Sequence, residues 1–348
     1  MSAIIYVVKM MQYGHRTPHI EFIIEHAIFI FRLFLCCFYE LANRILQTIS
    51  PVYKDLSSDI ILITGAGNGI GRLMCLEFAK FCPNIVAVDK NEKSLVETSG
   101  LVYKETGVQI KVYVCDLRQK KAIDELSTNV LREFGKVTVL VNNAGVVNAN
   151  FIDDLTSDEI EDCFKVNVLS HFYLIQAFLP SMLNKMGENP ISNNVRVKFR
   201  HPRGHIVCIS SIAGLIPLAG VADYCASKAA ALLLSESVEL ELLKLGVDNE
   251  VHVTRVLPFL LNTDMFKGIT PKHPLLFPIV DAGYCASRIV QSVRLNERVV
   301  YVTARYRILP ILKMLLPTKM IHCLYEYADT GAYVDQLKLY RKKTDGSN

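Results

Sequence analysis

The sequence predicts an α/β fold, a doubly wound parallel sheet in a single domain with apolar extensions at both ends. Three observations predict it. Short apolar runs of strand length alternate with helix-length stretches from residue 58 to about residue 305. A glycine-rich turn, Gly65-Ala-Gly67-Asn68-Gly69-Ile70-Gly71, closes the first apolar run and opens the first helix, the setting in which glycines let backbone approach a pyrophosphate. Asp89 then ends the second apolar run, 24 residues after Gly65.

Residues 1–57 form an N-terminal segment and linker. Ile20 to Leu46 is rich in Phe, Ile and Leu, interrupted by Glu21, Glu25, Arg32 and Glu40. Its uninterrupted apolar runs fall short of the roughly 20 residues of a spanning helix. A membrane-associated helix, inserted or lying at the interface, is expected over a soluble core helix. Asn43 to Ser58, with Pro51, reads as linker.

The main body, residues 58–305, starts with strand Ile60–Thr64, the glycine turn, and a helix over Arg72–Phe81. Strand Asn84–Asp89 and a helix to about Glu105 follow, then strand Gln109–Asp116 and helix Lys120–Phe134. Strand Val137–Asn142 precedes a helix around Ser157–Leu179, and strand His205–Ser210 precedes a helix ending near Leu245. Strands Val251–Leu257 and Arg298–Thr303 complete the alternation. The polar stretch Gly187–Gly204, with two prolines, reads as a surface loop. Residues 306–348 form an apolar extension and a basic tail. Leu309–Leu316, bearing Lys313, is too short to span and suits a substrate-site cover, a membrane-dipping patch, or packing against the domain or a homodimer mate.

Half of the 348 residues are hydrophobic (51%), 21% are charged, and the net charge is +4. No basic run carries the aromatic interleaving of a nucleic-acid surface, so no such partner is assigned. Arg341-Lys342-Lys343 reads as a solvated terminus or a contact for acidic lipid. Ten cysteines include no Cys-x-x-Cys, and Cys115, Cys208 and Cys225 fall in apolar patterns where a thiol acts as a small hydrophobe. No Asn-x-Ser/Thr sequon occurs, in keeping with a cytosol-facing body and reduced thiols. His171, His205 and His252 lack metal-ligand spacing, and no metal is expected.

The candidate site begins with Asp89. A carboxylate at the end of the second strand can accept hydrogen bonds from both ribose hydroxyls and repels a 2′-phosphate, which favours NAD over NADP; it can also cap the next helix, and Lys90 beside it tolerates a phosphate. Asp116-Leu117 ends the third strand, where a carboxylate can take the adenine amino group or cap a helix. Asn142-Asn143-Ala144-Gly145 closes the fourth, with amides to tie strand ends and a glycine to sit against the cofactor. Ser211 precedes Tyr224 by 13 residues, and Lys228 lies four residues beyond Tyr224, on the same helical face. A phenol near pKa 10 is a poor base at neutral pH. A nearby ammonium favours the phenolate, while Ser211 can hold the reacting oxygen. This set suits alcohol–ketone interconversion. Taken alone, Tyr-x-x-x-Lys is also a common pair on solvated helices.

Together these residues resemble a short-chain dehydrogenase/reductase. The matches are Thr64-Gly-x-x-x-Gly-Ile-Gly71, Asn142-Asn-Ala-Gly145, Ser211 and Tyr224-x-x-x-Lys228, in family order over roughly residues 58–270. The resemblance implies a Rossmann fold with Tyr224 as acid/base, Lys228 as its electrostatic partner and nicotinamide-ribose ligand, Ser211 orienting the reacting oxygen, and Asn167 holding a proton relay. It places the cofactor on Gly65, Asn68, Gly69, Ile70, Gly71, Asp89, Asp116, Leu117, Asn143, Ala144, Gly145, Tyr224, Lys228, Pro258 and Thr263. The family's Pro-Gly after the sixth strand is here Pro258-Phe-Leu-Leu-Asn-Thr263. The apolar ends and Cys208-Ile-Ser-Ser-Ile-Ala-Gly214 resemble the membrane-associated branch of epidermal retinol dehydrogenase and lipid-droplet 17-beta-hydroxysteroid dehydrogenases; the 187–204 stretch departs from it. The implied function is NAD-dependent oxidation or reduction of a lipophilic small molecule, retinol-like or steroid, at the cytosolic face of endoplasmic reticulum or lipid droplets. The alternatives are an idle lipid-organelle adaptor of the same fold and an NADP-dependent carbonyl reductase.

Overall fold

The computed structural model describes residues 18–184 and 203–345. The expected loop at 187–204 therefore lies outside the described residues except for Arg203 and Gly204. The chain divides into two compact units, residues 1–53 and 54–348.

In the first unit, helix α1 spans Pro18–Ile49. The expected linker start at Asn43 is too early: Asn43-Arg-Ile-Leu-Gln-Thr-Ile49 contains no breaker, and the helix stops just ahead of Pro51. Within it, Phe22–Tyr39 is long and apolar enough to cross a membrane, and none of it is buried. Eighteen residues rise roughly 27 Å, close to a bilayer's hydrocarbon thickness. The interrupting charges are few enough to leave this window intact.

In the second unit, strands β1 (Ile61–Thr64), β2 (Ile85–Asp89), β3 (Lys111–Val114), β4 (Val139–Asn142), β5 (Gly204–Ile209), β6 (Val251–Leu257) and β7 (Val299–Tyr301) form one sheet. Its order is 3-2-1-4-5-6-7 and every pairing is parallel. Helices α2 (Gly69–Ala79), α3 (Glu92–Thr106), α4 (Lys120–Phe134), α5 (Ser157–Phe164), α6 (Ser170–Met182), α7 (Ala222–Leu245) and α8 (Ala282–Arg294) connect the strands. Alternation along β1 divides the core: Ile61 and Ile63 pack with α2, α3 and α8 through Phe78, Leu95 and Ile289. Leu62 faces the other layer, with Val130 of α4, Phe178 of α6 and Leu242 of α7. The chain reverses its order between β1 and β4. Their carboxyl ends border a crevice, the place where open α/β sheets bind ligands.

The C-terminal residues continue as α9 (Leu309–Leu315), α10 (Thr318–Ala328) and α11 (Ala332–Asp345). Helix α11 sits so close to two loops that only glycine fits them. A Cβ on Gly220 would lie 2.4 Å from Val334, and one on Gly268 would lie 2.6 Å from Tyr340; both glycines have positive φ. Helix α9 leaves Ile311, Met314 and Leu315 exposed.

Candidate active site

The turn between β1 and α2 is held in a shape that only its glycines permit. Gly65 has φ +65°, and a Cβ on Gly71 would meet the Gly65 carbonyl oxygen at 1.9 Å. Asn68 caps α2, its Oδ1 accepting from Gly69 N at 2.7 Å and its Nδ2 donating to Asp264 at 2.9 Å. The first-turn N–H groups of α2 have no acceptors within the helix. Ile70 and Gly71 of that turn line the crevice. Asp89 stands at the end of β2, half-buried. Its Oδ2 accepts from Gly67 N at 2.9 Å and its Oδ1 from Asn91 N at 3.0 Å. The carboxylate thus braces the turn as well as bordering the crevice. Arg72 grips the same turn from behind, donating to the Gly67 carbonyl from both Nε and a terminal nitrogen.

At the end of β4, Asn143 does the tying that the sequence suggested for the Asn pair. Its Nδ2 donates to Thr64 O at 2.7 Å, and Thr64 Oγ1 accepts from both Asn143 N and Ala144 N. The Asn142 amide is fully buried and meets no partner among the described residues. Gly145 brings backbone against the catalytic set: a Cβ there would lie 3.3 Å from Lys228 Nζ and 3.4 Å from Asn167 Oδ1.

Asn167 lies on a single π-helical turn, Lys165–Leu169, inserted between α5 and α6. The sequence suggested one continuous helix here. The wider turn carries a fully buried amide whose Oδ1 accepts from Val146 N at 2.8 Å and whose Nδ2 donates to Val146 O at 3.0 Å and Ser227 Oγ at 2.9 Å. Ser227 in turn donates to Tyr224 O at 2.8 Å. Ser210, which the 13-residue spacing passes over in favour of Ser211, donates its Oγ hydroxyl to the Lys228 carbonyl at 2.8 Å. Ser211 Oγ accepts from Ala213 N at 3.1 Å and donates to Pro258 O at 3.4 Å.

Tyr224 and Lys228 stand on the first turns of α7, both nearly fully buried. Lys228 Nζ lies 5.7 Å from the Tyr224 ring centre and donates to Ile209 O at 2.8 Å. Burial pushes the phenol above its ordinary value, opposed by the Ser211 hydrogen bond. Burial likewise pulls the Lys228 ammonium below its ordinary value. In this arrangement desolvation is the dominant influence on the phenol.

The crevice is lined by Gly65, Asn68, Gly69, Ile70, Gly71, Asp89, Asn143, Ala144, Gly145, Ser211, Tyr224, Lys228, Pro258 and Thr263. These donors fit a dinucleotide. Unpaired helix N–H groups await phosphate, a carboxylate stands at the ribose end of β2, and a glycine bares backbone beside Lys228. Asp116 and Leu117 stand apart from this lining. Asp116 is forked by Arg118, which also binds Asp162, and Leu117 is buried in the core. Phe259, Leu261, Asp264, Met265 and Phe266 line the crevice without having been singled out, although the apolar run after Pro258 marked the place.

A second cavity adjoins the first and is almost wholly apolar. Ser211 and Tyr224 line both. Its outer wall is α11, through Tyr333, Val334 and Leu337. The sequence offered Leu309–Leu316 as one possible substrate-site cover; the wall comes instead from α11 and Thr330 just before it.

The family model for short chain dehydrogenases matches residues 59–274. Among curated relatives, short-chain dehydrogenase/reductase family 16C member 6 of Bos taurus is 35% identical over 291 residues, 83% of this chain and 86% of that one. Epidermal retinol dehydrogenase 2 of Mus musculus is 35% identical over 298 residues, 86% and 91% of the two chains. Retinol dehydrogenase 10 of Homo sapiens is 29% identical over 326 residues, with 86% and 91% covered. Among solved structures, a short chain dehydrogenase/reductase from Burkholderia phymatum in complex with NAD has a TM-score of 0.63 at 21% identity, covering 75% of this chain and 94% of that one. A short-chain dehydrogenase from Sphingobium yanoikuyae in complex with NADPH has a TM-score of 0.59 at 24% identity, with 75% and 97% covered.

Proposed function

Because this chain belongs to the short chain dehydrogenase family, we propose that it is an NAD-dependent oxidoreductase interconverting a lipophilic alcohol, retinol-like or steroid, and its carbonyl. One observation carries the reading: Ser211 and Tyr224 line both the polar, glycine-walled crevice and the apolar cavity beside it. An alcohol seated in the apolar cavity meets a hydroxyl pair where the two spaces join. Relatives whose names specify retinol support a lipophilic substrate.

When bound, NAD would supply a hydride acceptor for the carbinol carbon. The Gly65–Gly71 turn and the α2 N-terminus would hold its pyrophosphate, Asp89 its ribose, and Thr263, Pro258 and Gly145 the nicotinamide end. Ser211 holds the substrate oxygen, and Tyr224 takes its proton in oxidation or supplies one in reduction. Lys228 orients the nicotinamide ribose and adds positive charge beside the phenol. Asn167, anchored to Val146 and Ser227, keeps the polar floor next to Lys228 in register. No metal enters this scheme, because the hydride carrier and the phenol suffice. Asp116 and Leu117, just past the end of β3 and beside the crevice lining, remain the proposed contacts for the adenine.

Helix α1 supports attachment to a membrane, and an organelle such as endoplasmic reticulum or a lipid droplet suits a lipophilic substrate. A second reading, NADP-dependent carbonyl reduction, is favoured by the raised phenol, since a protonated Tyr224 is the acid a carbonyl needs; Asp89 opposes it. The test uses membranes containing the full chain, supplied with retinoids, hydroxysteroids and fatty alcohols, or their carbonyls, with NAD(H) or NADP(H). Faster oxidation of a lipophilic alcohol with NAD is expected. Turnover with no substrate and either nucleotide would overturn the proposal and leave the idle adaptor.

A further inference from the structure

The apolar cavity contains two polar side chains that the chemistry at Tyr224 does not use, Thr330 and Tyr333. Tyr333 lines it from α11 and is 8% exposed, and its hydroxyl, unlike that of Thr330, is buried with no hydrogen-bond partner among the described residues. The rest of the wall around it is hydrocarbon, with Val221, Leu260, Ile269, Val334 and Leu337. Phe would pack there equally well and carry no desolvation penalty, so an unpaired phenol in this wall calls for a partner that is not protein. The neighbouring phenol does not supply one, because Tyr306 spends its hydroxyl on the Leu276 carbonyl at 3.1 Å.

The wall is also held in place. Gly220 lies under Val334 and Gly268 under Tyr340, each too close for a side chain. Gln336, on the same helix, accepts from Thr270 N at 2.6 Å. Tyr333 is thus presented on a helix fastened to the loops on either side of the cavity, as a positioning group must be. Burial raises its pKa, so it keeps its proton and can donate.

We propose that Tyr333 hydrogen-bonds a second oxygen of the substrate, distinct from the reacting one, so that the site selects dioxygenated alicyclic alcohols of the steroid class over alcohols with a single oxygen. This rests on the oxidoreductase reading and narrows it. A retinoid carries one oxygen, which Ser211 and Tyr224 would hold, and it would leave Tyr333 unpaired. A substrate with a second, remote oxygen, such as a sterane oxygenated on its first and last rings, would give Tyr333 a partner. Sites built to hydrogen-bond a substrate hydroxyl discriminate strongly against analogues that lack it.

The test compares the full chain in membranes with its Tyr333→Phe variant. The probes are a sterane diol hydroxylated on its first and last rings and the monohydroxy sterane lacking the remote hydroxyl. The unmodified protein should favour the diol in kcat/KM by about tenfold or more. Tyr333→Phe should erase most of that preference, chiefly through KM. Equilibrium binding of radiolabelled diol to both proteins, which needs no turnover, should show a matching rise in Kd. An equal diol preference and equal diol binding in the two proteins would overturn the assignment and leave the hydroxyl to solvent. Absence of turnover with both steranes but weaker diol binding by Tyr333→Phe would sink the oxidoreductase reading and keep this contact.

Discussion

Replacing Asp89 by Asn removes one negative charge from the lip of the crevice while retaining an acceptor for Gly67 N, which Asp89 Oδ2 now engages at 2.9 Å. An Ala there would remove both that bond and the one to Asn91 N at 3.0 Å and would loosen the turn itself. The Asn variant therefore isolates charge from scaffold. Unit charges about 4 Å apart repel by about 1 kcal/mol in water and about 4 kcal/mol at an effective dielectric near 20. A half-buried carboxylate lies between these limits. About 2 kcal/mol, or roughly thirtyfold in the ratio of kcat/KM for NADP to that for NAD, is the expected gain. The assay is initial-rate oxidation of one accepted alcohol with each nucleotide, at low and high salt; screening should shrink the gain as salt rises. A ratio that moves by less than about threefold at low salt would refute the electrostatic role of Asp89.

Ser211→Ala should lower kcat by roughly 100-fold, the scale for losing one preorganised donor. Its hydrogen bond favours the phenolate, so removal raises the phenol further and should move the alkaline rise of the oxidation rate to higher pH. Gly71→Ala puts a methyl 1.9 Å from the Gly65 carbonyl oxygen, a backbone atom that cannot rotate away. A loss of about 3 kcal/mol or more is expected, read as a fall in denaturation midpoint. His171, held down at about 3, and His205, held well below its ordinary value, stay neutral in the folded chain because of burial. Their contribution is present above about pH 6.5 and is lost as pH falls, since the unfolded chain then binds protons that the folded chain refuses; about 2.5 kcal/mol should go between pH 7 and 5.5, measured by chemical denaturation in detergent.

The sheet was legible because its strands are buried on both faces and read as apolar runs, and because each turn between them carries its own punctuation. Both edge strands proved clearly shorter than their apolar patterns: β3 keeps Lys111–Val114 of the expected Gln109–Asp116, and β7 keeps Val299–Tyr301 of the expected Arg298–Thr303. Glycine chemistry made the nucleotide crevice equally readable, since Gly65 and Gly71 tolerate no Cβ. Other features needed three dimensions. Nothing in Lys165-Val-Asn-Val-Leu distinguishes a π turn from an α turn, so the placement of Asn167 was hidden. The balance of forces on Tyr224 depends on burial, and an i, i+4 spacing says nothing of the desolvation that raises the phenol. Tyr333, Val334 and Leu337 recur at helical spacing, but what that face covers is visible only once α11 packs over Gly220. Helix α1 was visible as a helix, yet its end was misplaced because Asn43 resembles a boundary and the true breaker, Pro51, comes later.

The central claim is that the Tyr224 phenol moves the proton while a nicotinamide held beside it moves the hydride. Tyr224→Phe, assayed in membranes for NADH formation and in parallel for NADH binding by fluorescence, tests it most directly. The account predicts a fall in turnover of about 100- to 10,000-fold with nucleotide affinity preserved. Turnover within a few-fold of the unmodified protein, with the same nucleotide affinity, would contradict it.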